Sequence, residues 1–102
     1  LERIQSVLDV YLTESSFSTE DFAIQLGFSR MQLHRKLKAL TGLSATEFLR
    51  SQRLKLAAQL LEKSDANVSE VCYRTGFNNL SYFAKCFKEV YGTSPSKYPK
   101  NV

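Results

Sequence analysis

Four basic residues, Arg30, Arg35, Lys36 and Lys38, fall within nine consecutive positions that hold no acid. Guanidinium and ammonium groups at this density donate hydrogen bonds to polyanions, and an arginine fork can grip two acceptors of a guanine edge at once. Residues 1 to 21, by contrast, carry five acids and one base. Charge is segregated along the chain. Other chemistries lack their members. His34 is the single histidine, so a nucleophile has no evident base, and serines, thiols and acids stand at capping, core or solvent positions. Cys72 and Cys86, fourteen positions apart, fall short of a tetrahedral zinc set even with His34. The chain is expected not to be an enzyme and to need neither metal nor cofactor. Its cysteines are expected as reduced, buried, apolar groups of a cytosolic protein.

A basic face needs a helix to present it, and helix-start signals recur. Ser18 with Asp21, Ser29 with Gln32, Ser44 with Glu47, and Asn67 with Glu70 each place a capping side chain three residues before an acid or amide that can return the hydrogen bond. Gly27 and Gly76 interrupt helical patterns, Gly42 and Gly92 follow apolar-periodic runs, and Pro95 stands at a first-turn position after Ser94. These signals predict an all-α chain of seven helices, near 2–14, 19–26, 30–41, 45–63, 68–75, 80–91 and a short turn at 95–98. No stretch alternates long enough for a strand. The 45–63 helix, at ~28 Å, is the longest. On it Leu49, Leu54, Leu56, Ala57, Leu60 and Leu61 share one broad arc, opposite Ser51, Lys55, Gln59 and Glu62.

The chain also repeats itself. Phe22-Ala23-Ile24-Gln25-Leu26-Gly27-Phe28 aligns with Val71-Cys72-Tyr73-Arg74-Thr75-Gly76-Phe77 at an offset of 49, with glycine and phenylalanine coinciding. At an offset of 50, Leu33 then pairs with Phe83, Leu37 with Phe87, Lys38 with Lys88, Leu40 with Val90, Gly42 with Gly92, Ser44 with Ser94 and Phe48 with Tyr98. A short helix, a glycine turn and a longer second helix make a helix-turn-helix, built here twice. The second helix of such a unit can enter a DNA major groove. In the first copy Leu33, Leu37 and Leu40 are expected inside, leaving Met31, His34, Arg35 and Lys38 outside. In the second, Phe83, Phe87 and Val90 are expected inside, leaving Ser81, Ala84, Lys85 and Lys88 outside. Arg35 is suited to a guanine edge with His34 as a weaker reader, and Ser81 and Lys85 to the next groove. Arg30, Lys38, Asn79, Tyr82 and Lys88 are suited to phosphates. Met31 stands open between base contact and core filler. Phe28, Phe77, Phe83 and Phe87 read as core.

The run Thr75-Gly76-Phe77-Asn78-Asn79-Leu80-Ser81-Tyr82-Phe83-Ala84-Lys85-Cys86-Phe87-Lys88, followed by Gly92-Thr93-Ser94-Pro95-Ser96-Lys97-Tyr98, resembles the signature of the AraC/XylS family of bacterial transcription regulators. Leu26-Gly27-Phe28-Ser29, and Arg53-Leu54 with Ala57, Leu60 and Leu61, resemble the family's first motif and linker helix. The likeness spans essentially the whole chain. It implies two helix-turn-helix subdomains bridged by the long helix, with both recognition helices in adjacent major-groove segments of double-stranded DNA. It puts the family's base-reading positions on Met31, His34, Arg35, Ser81 and Lys85. Two departures stand out: Pro99 replaces a frequent arginine, and Ala84 offers only a methyl, so the second motif is expected to position more than read. Leu33-His34-Arg35-Lys36-Leu37-Lys38-Ala39-Leu40-Thr41-Gly42 also resembles output domains of hybrid two-component sensors.

With 102 residues the chain has room for about one domain, and 43% hydrophobic against 24% charged residues is a globular composition. The formal charge of +4 agrees with a polyanionic partner without requiring one. The expected division is a first helix-turn-helix subdomain over 1–43, a linker helix over 44–64 and a second subdomain over 65–102. No apolar run is long enough for a membrane span. A start at Leu1 suggests a fragment of a longer parent. The expected function is sequence-specific DNA binding as a regulator's output module, in the cytoplasm unless a hybrid-sensor parent anchors it to a membrane. RNA polymerase and an N-terminal sensor or signalling domain are the further expected partners. A helix-turn-helix scaffold binding protein instead is the alternative.

Overall fold

The computed structural model describes residues 2–98. Six α-helices follow one another: α1 (Glu2–Tyr11), α2 (Thr19–Leu26), α3 (Arg30–Thr41), α4 (Ala45–Lys63), α5 (Val68–Arg74) and α6 (Leu80–Tyr91). The seventh element is a 3-10 turn, Pro95–Lys97, closed by bonds from the Lys97 N–H to the Ser94 carbonyl and from the Tyr98 N–H to the Pro95 carbonyl, each spanning three residues. No strand occurs among the described residues.

Local chemistry accounts for the helix boundaries. In α2, α3, α4 and α5 the capping side chain accepts the N–H three residues on, and that residue's side chain accepts the cap's own N–H. Each such cap is worth about 1 kcal/mol. At α6 the Asn79 side chain accepts the Tyr82 N–H at 2.8 Å with no side chain returning the bond. The first helix stops at Tyr11, short of the expected residue 14. Beyond it the Glu14 N–H donates to the Tyr11 carbonyl and the Phe17 N–H to the Glu14 carbonyl, which is turn geometry. Arg53 donates to the carbonyls of Leu12 and Glu14, so these acceptors are satisfied without a further helical turn.

The helices enclose two cores. Ile4, Leu8, Phe17, Phe22, Leu26, Leu33 and Leu37 pack with Ala45, Phe48 and Leu49 of α4. Val71, Cys72, Phe77, Phe83, Cys86 and Phe87 pack with Leu54, Ala57, Ala58 and Leu61 of the same helix. At 100° per residue these two α4 sets centre about 180° apart. The helix therefore does not bury one broad arc, as the sequence pattern suggests, but switches its buried side halfway along. Leu56 and Leu60 end up only half-buried, and so do Ser51 and Glu62 from the expected polar arc.

Two members of the expected buried stripes lie on the surface instead. Leu40 is 57% exposed and Val90 60% exposed. Both lie in the last turn of their helices, two residues before the Gly42 and Gly92 caps, where the stripe continues past the elements that could cover it. Periodicity gives a side chain's direction, not the depth of protein over it. In the second core Cys86 is buried with Phe83 and Phe87, as expected of the cysteines.

Candidate nucleic-acid interface

The helices α3 and α6 are each 12 residues long, each starts at a side-chain cap, and each ends at a left-handed glycine. Counted from their first residues, Met31, His34, Arg35 and Lys38 occupy the same angular sector of α3 as Ser81, Ala84, Lys85 and Lys88 occupy on α6, opposite the buried side. All of these are exposed except Ala84, which is half-buried. Met31, at 63% exposure, is on the surface and not core filler. With Arg30 and His34 it lines a groove whose other wall is Ser44, Ala45 and Thr46 at the start of α4.

The phosphate candidates differ in freedom. Arg30, Lys38 and Lys88 are exposed at the two ends of their helices. The Asn79 carbonyl is occupied in capping α6, which leaves its amide N–H groups to donate outward. Tyr82 is 47% exposed, and its hydroxyl accepts a 3.1 Å hydrogen bond from Arg50 Nη1. The hydroxyl proton remains available to an external acceptor. That bond also raises the Arg50 guanidinium above its ordinary pKa. Lys36 points elsewhere: its ammonium sits 5.3 Å from the centroid of the half-buried Phe28 ring. One of the four clustered charges is thus turned toward its own unit.

Sequence patterning did not single out Arg50 as an interface residue, and Arg53 figured only within the linker motif. Arg53 is half-buried, and its burial lowers the guanidinium pKa from the ordinary value. Its signal was weak: an arginine midway along an amphipathic helix, between two apolar sets. Cys72 and Cys86 are buried and unbridged, and burial raises the Cys72 thiol, which makes it a poor nucleophile. Pro99 lies outside the described residues. No helix among the described residues is long and apolar enough to cross a membrane.

Two helix-turn-helix units on one shaft, each showing a polar outer face on its second helix, define the chain as a double helix-turn-helix domain. The helix-turn-helix domain family matches residues 11–101, and the chain belongs to that family in its AraC-type form. Histidine kinase P4 of Formosa agariphila is 37% identical over 98 residues, covering 96% of this chain and 7% of the kinase. The HTH-type transcriptional regulator MtrA of Neisseria gonorrhoeae is 36% identical over 97 residues, covering 95% of this chain and 32% of the regulator. The chain therefore spans about a third or less of these curated relatives. The DNA-binding domain of AdpA, a global transcriptional factor solved in complex with a target DNA, superimposes with a TM-score of 0.86 at 32% identity, covering 95% of this chain and 86% of that one. The family is one of DNA-binding transcription-regulator domains, not of enzymes.

Proposed function

We propose that the chain binds double-stranded DNA in a sequence-specific manner, with α3 and α6 in adjacent major-groove segments on one face of the duplex. The carrying observation is the matched outer sector of the two helices, fixed on a 19-residue helix. The molecule is 40 Å long and 24 by 23 Å across, and one DNA turn is ~34 Å, so both helices can reach one side of the duplex. In this reading residues 1–43 and 65–102 are the two reading subdomains and 44–64 the linker. Met31, His34, Arg35, Ser81 and Lys85 meet base edges, and Arg30, Lys38, Asn79, Tyr82 and Lys88 meet phosphates.

The AdpA complex supports DNA as the ligand. The kinase and regulator relatives, of which the chain spans 7% and 32%, support an output module within a longer bacterial regulator. An N-terminal part that senses or signals, RNA polymerase as a partner and a place in the cytoplasm complete the proposal. The test is a fluorescence-anisotropy titration against duplexes selected from a random pool. Enrichment of a motif, with affinity falling steeply as salt rises, is the expected result. Absence of any salt-dependent binding at low ionic strength rejects the reading.

A further inference from the structure

The repeat makes Gly27 and Gly76 counterparts, and both have positive φ, +75° and +96°. Around Gly27 there is open space: a Cβ added there meets nothing within 4 Å. At Gly76 it would lie 2.7 Å from Arg53 Nε and 2.8 Å from the Leu12 carbonyl oxygen. The turn of the second helix-turn-helix is thus pressed against both a carbonyl of the first half and the Arg53 guanidinium hydrogen-bonded to it.

That guanidinium makes three hydrogen bonds, from Nε to the Leu12 carbonyl at 2.9 Å and from Nη2 to the Glu14 and Phe17 carbonyls at 2.9 and 3.1 Å. All three acceptors belong to the α1–α2 connection. No carboxylate pairs with Arg53 among the described residues. Its position on α4 lies between Leu49, the last α4 residue of the first core, and Leu54, the first of the second. No apolar side chain bridges the cores along that stretch, Arg50-Ser51-Gln52-Arg53. Three neutral carbonyls around a planar fork form a directional joint, and a fork holds direction where a hydrophobic contact would slide.

We propose that Arg53 is a positioning residue that sets the angle between the two reading helices, with Gly76 as the bare surface that lets the second unit seat on it. This rests on the two-helix DNA reading above, but the angle itself can be measured without DNA. Spin labels on Ala39→Cys in α3 and Glu89→Cys in α6 occupy exposed positions off the proposed DNA face, and the native thiols are buried. The labelled domain should give one narrow distance distribution, and Arg53→Met should widen it at least twofold while circular dichroism shows the helices retained. On duplexes selected with the unaltered domain, Arg53→Met should lose at least tenfold in affinity for a site with both boxes. It should change less than twofold on a site with one box, and it should lose the preference between the selected spacing and spacings one base pair longer or shorter. Arg53→Lys keeps the charge and stem without the fork; it should fall between the two, and it carries the same test if Arg53→Met unfolds. An unchanged distance distribution in either folded variant overturns the proposal, as do equal losses on one-box and two-box sites. If no duplex is selected at all, the DNA reading fails, and the width of the distance distribution alone decides the role of Arg53.

Discussion

Arg35 and Lys88 both stand exposed on outer helix faces, yet they are suited to different work. A guanidinium fork fits the two acceptors of a guanine edge, whereas an ammonium at the end of a helix meets a phosphate as a point charge. Arg35→Ala should therefore cost about 1–3 kcal/mol on the selected duplex and relax the preference at one base pair. Lys88→Ala should weaken selected and scrambled duplexes alike and lower the salt slope by about one. Anisotropy titrations across a salt series separate the two, and equal losses on both duplexes for both variants contradict the assignment. Lys36 provides an internal contrast, because its ammonium lies over the Phe28 ring 5.3 Å away. Lys36→Ala should lower unfolding stability by about 0.5–1 kcal/mol and leave sequence preference and salt slope unchanged. A salt slope that drops as far as in Lys88→Ala would show that this charge also faces the phosphates.

At the scale of the element, the helix starts are where sequence and structure agree most closely. The box at α4 also carries a pH signature. Glu47 accepts the Ser44 N–H at 3.0 Å, and this bond, followed by that to the Ser44 side chain, holds its carboxyl below the ordinary value of 4.5. A carboxylate with a lowered folded pKa contributes stability that is complete above about pH 4.5 and fades as pH falls through the folded value. Glu47→Gln keeps the acceptor oxygen but has nothing to titrate. The unaltered domain should melt higher at pH 7, and the gap should narrow below about pH 4.5; a gap independent of pH removes Glu47 as its source. Such boxes were legible because donor and acceptor lie three residues apart, and the repeat was legible because both copies kept the Gly-Phe turn. The reversal of the buried side on α4 was not, since a wheel averages over a helix that serves two cores in succession. Nor could spacing show that Leu40 and Val90 outrun their cover, which depends on where neighbouring helices end. Arg53 was hidden for the same reason, its three acceptors lying 36 to 41 residues away in sequence.

For the whole molecule the governing quantity is reach. The chain measures 40 Å along its longest axis, and the two cores share a single continuous helix in place of a loop. A flexibly tethered pair of units could follow its boxes around the duplex, at a cost that grows slowly with tether length. A pair fixed on one helix cannot. Inserting five base pairs between the selected boxes turns the second onto the opposite face of the duplex, since ten to 10.5 pairs complete a turn. Inserting ten restores the face but adds ~34 Å to the separation, which a 40 Å molecule that spans one turn in the proposed mode cannot cover. Both insertions should therefore reduce affinity to that of a single box, and the ten-pair insertion should give no recovery. A titration series with zero, five and ten inserted pairs distinguishes the alternatives. Recovery at ten pairs would mean that two chains, one per box, occupy the site or that α4 gives way between Leu49 and Leu54, and sedimentation of the complex tells these apart by its stoichiometry.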